Sequence, residues 1–131
     1  MGDRRLERLP AYALGDEVRI AVADRPSARI VGLAGMRGMP ARTGLLIPGC
    51  RSVHTFGMRF ALDLIWLGDD GRIVDVSAGV PPWRIVTRAH ASAVVECRAG
   101  TGAVFFAALA TAPPGAIPTR RRAARGARSE R

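Results

Sequence analysis

Leu62-Asp63-Leu64-Ile65-Trp66-Leu67, then Gly68-Asp69-Asp70-Gly71, then Arg72-Ile73-Val74-Asp75-Val76 reads as a strand, a turn and a returning strand. The flanking residues are β-branched, aromatic or leucine. The Asp/Gly cluster between them supplies the side-chain-bonded and left-handed conformations that a tight reversal needs. Simple pairing across this β-hairpin sets Leu67 opposite Arg72, Trp66 opposite Ile73, Ile65 opposite Val74, Leu64 opposite Asp75 and Asp63 opposite Val76. Leu64 to Leu67 show no alternation, so both faces of the strand are expected to be covered, as in a sandwich or barrel.

Working upstream, Ser52 to Met58 is extended, Pro48-Gly49 breaks the chain, Gly44 to Ile47 is a short strand and Val18 to Ala23 another. Asp24 is placed to cap a helix with Pro26 in its first turn, running to about Leu33, with Gly35 ending it and a Gly/Pro/Arg-rich loop from Met36 to Gly44. Downstream, Pro81-Pro82 ends the hairpin region, and Ala91 to Glu96 offers a last strand before the Gly-rich 99–102. The expected fold is mainly β, a small sandwich or jelly-roll-like barrel with one short helix. The expected organisation is an N-terminal extension at 1–17, a β-rich domain at 18–103, an apolar Pro/Gly-containing segment at 104–119 and a disordered Arg-rich tail at 120–131.

The chain of 131 residues fits one domain, and its 48% apolar and 24% charged content is that of a globular protein. All 20 basic residues are Arg, and Lys, Asn and Gln are missing altogether, a pattern of coding bias more than of chemistry. Six of those Arg fall in 120–131, where they contribute most of the excess behind the net charge of +9. Arg120, Arg121, Arg122 and Arg125 are therefore the candidates for contact with nucleic acid or anionic lipid, although no aromatic residue stands among them to stack on bases. The uncharged stretch Ala99 to Thr119 is interrupted by Pro113, Pro114, Gly115 and Pro118. It falls short of the roughly 20 apolar residues of a spanning helix, so no transmembrane segment is expected. The charged N-terminus lacks the apolar core of a secretory signal, which points to a cytoplasmic protein with two thiols, Cys50 and Cys97, rather than a bridge.

Val53-His54-Thr55-Phe56-Gly57-Met58-Arg59-Phe60-Ala61-Leu62-Asp63 and the hairpin through Val74 resemble the bacterial and archaeal family called "domain of unknown function 192". Further pieces fall in the family's order: Arg29 with Gly32-Leu33-Ala34-Gly35, Gly44-Leu45-Leu46-Ile47, and Val94-Val95-Glu96-Cys97-Arg98-Ala99-Gly100-Thr101. Together they cover about residues 18–103. Ala34 stands where the family usually has Met, Ala61 where it often has Pro, and the family's closing strand is not recognisable after Gly102. The resemblance implies a compact β-rich sandwich of jelly-roll-like character with a short helix, and implies no activity.

Cys50, His54, His90 and Cys97 are the only Cys and His, four in number as a closed zinc site requires. In extended chain at about 3.3 Å per residue, Cys50 and His54 stand roughly 13 Å apart, which counts against both a shared ion and a nucleophilic dyad. No phosphate loop, nucleophile elbow or His-Glu-x-x-His helix occurs, and no cofactor is expected.

Asp63 interrupts an apolar run and needs a partner, either a structural one or as part of a polar wall with His54 and Arg59 in a pocket lined by Phe56, Met58 and Trp66. Trp66 and Phe56 otherwise read as core. The corner Val80-Pro81-Pro82-Trp83-Arg84, with Trp83 half exposed, reads either as an ordinary loop with an anchored Trp or as a partner-binding edge. The leading expectation is a non-catalytic module that binds a small ligand or protein through His54, Phe56, Met58, Arg59 and Asp63. The alternatives are a small enzyme or metal protein using Cys50, His54 and His90, and binding of an anionic polymer or membrane surface through the Arg tail.

Overall fold

The computed structural model describes residues 4–23 and 33–120. After a single 3-10 turn at Leu6–Arg8, the strands are β1 Ala11–Leu14, β2 Val18–Val22, β3 Thr43–Pro48, β4 Ser52–His54, β5 Leu62–Leu67, β6 Ile73–Val80, β7 Ile85–Thr87 and β8 Ala93–Arg98, followed by helix α1 Gly102–Thr111. Six strands form one sheet in the order β1-β2-β3-β8-β5-β6, and β4 and β7 form a separate two-stranded ribbon. Every pairing is antiparallel except β2 with β3. The large sheet does not close, so the fold is sandwich-like with a short helix rather than a barrel. The helix expected from Asp24 lies outside the described residues, apart from its buried terminal Leu33.

The uninterrupted apolar run in β5 is explained by burial on both faces. On one face Leu62, Leu64 and Trp66 pack with Leu45, Ile47 and Val94 beneath Met36, Met39, Val53 and Met58, contributed by the loops and the β4–β7 ribbon. On the other face Ile65 and Leu67 pack with Ile20, Leu46, Val95 and Cys97 beneath Phe105, Leu109 and Ile117 of α1 and the segment after it. Gly44 lets the helix approach, since a Cβ there would lie 2.9 Å from Cε1 of Phe105. Residues 104–119, read as an apolar segment of unassigned structure, thus form the lid of the second core. Ala11–Leu14, placed in the N-terminal extension, supplies an edge strand.

The hairpin forms, with its register corrected. Leu67 pairs with Ile73, Trp66 with Asp75, Ile65 with Val76 and Leu64 with Ser77, while Leu62 pairs with Val80. The turn closes by Gly68 N–H donating to the Arg72 carbonyl at 2.8 Å, which pushes the return strand one residue later. Two irregularities, between Trp66 and Leu67 and between Leu62 and Leu64, then shift the partners further. The second of these is stabilised by Gly79 at φ +62°, a conformation that favours glycine.

Candidate functional site

The β4–β7 ribbon covers the first core with one face and shows the other to solvent. Val53 is buried whereas Ser52, His54, Ile85 and Thr87 point outward, because side chains alternate along a strand. His54 lies opposite Ile85, and Ser52 opposite Thr87, whose hydroxyls bond at 3.0 Å. At the His54 end the surface becomes aromatic. The His54 and Phe56 rings are 5.4 Å apart and the Phe56 and Trp83 rings 5.6 Å apart, both tilted. Trp83 is 67% exposed, Ile85 65% and Phe56 43%, so the expectation of a core Phe56 is corrected: its ring belongs to this surface. Trp66, in contrast, is fully buried, with its indole N–H donating to Ser77 Oγ at 3.1 Å.

Trp83 is held in this position by its backbone. Its φ of +67° is the only positive φ at a non-glycine among the described residues, and holding an L-residue there costs roughly 1–2 kcal/mol. Buried Thr55 restrains the turn on all sides. Its hydroxyl donates to the Pro81 carbonyl and accepts from Arg84 N–H, each at 2.8 Å, its own N–H donates to the Arg84 carbonyl, and its carbonyl accepts from Trp83 N–H. The corner at Val80–Arg84 flagged as a partner-binding edge is therefore a rigid mount for an exposed indole.

The predicted polar wall is not assembled. Asp63 sits on the helix-facing side of β5, whereas Met58 is buried in the opposite core and Arg59 is exposed. The Asp63 carboxylate accepts from Gly79 N–H at 2.8 Å through Oδ1, and from Gly100 and Gly102 N–H at 2.9 Å each through Oδ2. It thereby ties the β6 bulge, the turn after β8 and the first residue of α1 to one strand. This is the structural alternative for Asp63, and only glycine fits at 102, where a Cβ would fall 2.8 Å from Oδ2.

The scarce Cys and His are likewise dispersed. Cys97 is buried against the helix-side core, where desolvation pushes its thiol up to about 11, while half-buried Cys50 packs on the other core. Neither Cys is in a disulfide. Among the described residues no three metal-ligating side chains come together.

His90 lines a separate open cavity of about 540 Å³ with Arg51, Asp69, Ser92, Thr119 and Arg120. Ser92 Oγ donates to the Asp69 carboxylate there, and His90 makes no hydrogen bond to Ser92 among the described residues. Arg120 Nη2 stands 3.6 Å from Asp69 Oδ2, and Thr119 Oγ1 donates to the Asp69 carbonyl at 2.9 Å, fixing where the tail departs. Arg121, Arg122 and Arg125 lie outside the described residues.

The sequence offered no signal for the burial of Glu96. It lies 5% exposed in β8 between Leu45 and Leu64, on the apolar side, with no hydrogen bond or ion pair to its carboxyl among the described residues. Desolvation alone pushes its carboxyl up to about 7. At the rim, Arg88 holds the Asp75 carboxyl below the usual carboxylate range through a 2.5 Å contact.

An open six-stranded sheet carrying a helix on one face and a two-stranded ribbon on the other defines a small mainly β domain. The chain belongs to the DUF192 family, described as an uncharacterized ACR, which it matches over residues 11–105. No curated protein matches it. Among solved structures it is similar to a candidate transcription regulator from Sinorhizobium meliloti 1021, with 24% identity, 75% of this chain and 78% of that one covered, and a TM-score of 0.60. It is also similar to a protein of unknown function from Novosphingobium aromaticivorans DSM 12444, with 17% identity, 88% and 95% covered, and a TM-score of 0.57. These likenesses concern the fold.

Proposed function

We propose that this protein is a non-catalytic binding module whose binding face is the outer surface of the β4–β7 ribbon. The observation that carries the reading is the exposed row of His54, Phe56 and Trp83, with Trp83 held at a positive φ that no packing requirement of its own side chain explains. Backbone strain retained beneath an exposed aromatic residue is a feature of ligand-binding surfaces. Of the residues first expected to bind, His54 and Phe56 lie in this face and Arg59 is exposed in the segment that follows β4. Met58 is buried in the core that the ribbon covers, and Asp63 serves the fold.

The test is a set of amide proton–nitrogen spectra of the full chain titrated with adenosine monophosphate, a neutral oligosaccharide, an acidic peptide and a proline-rich peptide. Shifts confined to residues 52–56 and 82–87 are the expected result. Shifts centred on Arg51, His90, Ser92 and Arg120 would move the site to the cavity at the far end of the ribbon, and no response to any probe would overturn the proposal.

A further inference from the structure

The ribbon and its flanking turns have a one-sided charge. Residues 51–61 and 80–90 contain Arg51, Arg59, Arg84 and Arg88, together with His54 and His90, and no carboxylate at all. Arg88 is occupied by Asp75 and Ser77. Among the described residues the Arg84 guanidinium meets only the carbonyls of Pro82 and Trp83, at 3.5 and 3.3 Å, and that of Arg59 makes no hydrogen bond or ion pair. Two exposed guanidinium groups thus lie in the same segments as three solvent-facing rings.

This combination selects among occupants. A second copy of the chain would bring the same positive charge to the face. A neutral sugar carries no negative charge for the exposed guanidinium groups to meet, and the ribbon has no Asp or Glu to accept from its hydroxyls. An unpaired nucleic-acid strand offers flat π-faces at successive positions and a phosphate beside each, which matches rings followed by guanidinium groups. Resting on the binding-face reading above, we infer that the occupant is single-stranded nucleic acid, with bases stacked on Trp83 and Phe56 and phosphates on Arg84 and Arg59. A duplex hides its base faces and is excluded from this mode.

Fluorescence reads the contact directly, because Trp66, the other Trp, is buried and Trp83 is exposed. Oligo(dT) of about twelve nucleotides, a length that spans typical single-strand sites, should quench the emission of the full-length protein, and a duplex of equal length should not. With the oligonucleotide labelled and its anisotropy followed, Trp83→Gly and Phe56→Ala should each weaken binding about tenfold or more, the loss of one stacked base. Glycine relieves the φ at position 83, so the Trp83→Gly protein should melt no lower than the parent and its loss of binding cannot be ascribed to unfolding. Arg59→Ala with Arg84→Ala should reduce the salt slope by about 1.4, two single-strand phosphates.

The full-length variant Arg121→Ser, Arg122→Ser, Arg125→Ser should bind as the parent does. If that variant loses binding while Trp83→Gly retains it, the nucleic acid is held by the tail and the inference fails. If oligonucleotides do not bind but poly-glutamate does, with the loss at Trp83→Gly, the ligand class is wrong and the face stands. If Trp83→Gly changes the affinity for neither polymer, both the inference and the face fall.

Discussion

Asp63 shows how one side chain can organise elements distant in sequence. Its three backbone donors come from a bulge, a turn and a helix start, and the buried one, Gly102 N–H, would be left unpaired away from water without it. Asp63→Asn keeps the shape but turns an amide N–H₂ toward an N–H donor, so equilibrium denaturation should show a loss of about 2–3 kcal/mol. Gly102→Ala should destabilise comparably, since its Cβ would collide with the same carboxylate. The sequence made Asp63 conspicuous as a polar interruption, yet its partners are main-chain groups that sequence does not distinguish.

Glu96 gives the opposite case, a buried carboxyl that no hydrogen bond or ion pair holds among the described residues. Its folded pKa of about 7 lies above the ordinary 4.5, so the folded state binds the proton more tightly than the unfolded chain does. Its favourable contribution is complete below pH 4.5 and is lost as pH rises through 7. Denaturation between those values should show stability falling by up to about 3 kcal/mol. Glu96→Gln should flatten this dependence and raise stability above pH 7.

At the scale of elements, the rigidity of the ribbon depends on Thr55. Thr55→Val preserves the volume but removes both hydroxyl bonds to the 81–84 turn, leaving Arg84 N–H and the Pro81 carbonyl without that partner. A loss of about 1–3 kcal/mol is expected, together with faster acrylamide quenching of Trp83. The long hairpin and β2, β3 and β8 were legible because each is a run of β-formers bounded by breakers. β1 and β7 were not, since Ala11–Leu14 and Ile85–Thr87 are too short to show a period and are set by their neighbours across the ladder. Helix α1 was missed for another reason. Gly102, Phe105 and Leu109 make its buried stripe, but Ala103, Phe106, Ala107 and Ala110 on the exposed side are apolar too, so no polar face reveals the helical repeat. The hairpin register went astray because bulges are invisible to simple counting from a turn.

For the whole molecule, burial of the sheet on both faces predicts a single cooperative unit. Hydrogen exchange in native conditions should find the slowest amides in β5 and β8, opening only with global unfolding, and faster exchange in β1 and the ribbon. Uniformly slow exchange across all strands would contradict this. Among the described residues no helix is long and apolar enough to cross a membrane, as the prolines after α1 led one to expect. The candidate site was half legible at this scale. His54, Phe56 and Trp83 were each singled out, but their meeting on one surface depends on pairing between β4 and β7, separated by the entire hairpin.

The strand order carries a consequence for synthesis. β8 lies between β3 and β5, so two halves of the large sheet remain unjoined until residues 93–98 have been made. A nascent chain that has emerged only through the hairpin presents two unpaired apolar edges at once, a hazard that the finished protein never displays. The ribosome therefore delivers the fold in a form that nothing short of its last strand can complete. Translation pauses ahead of β8 would lengthen the interval in which chaperones must shield those edges.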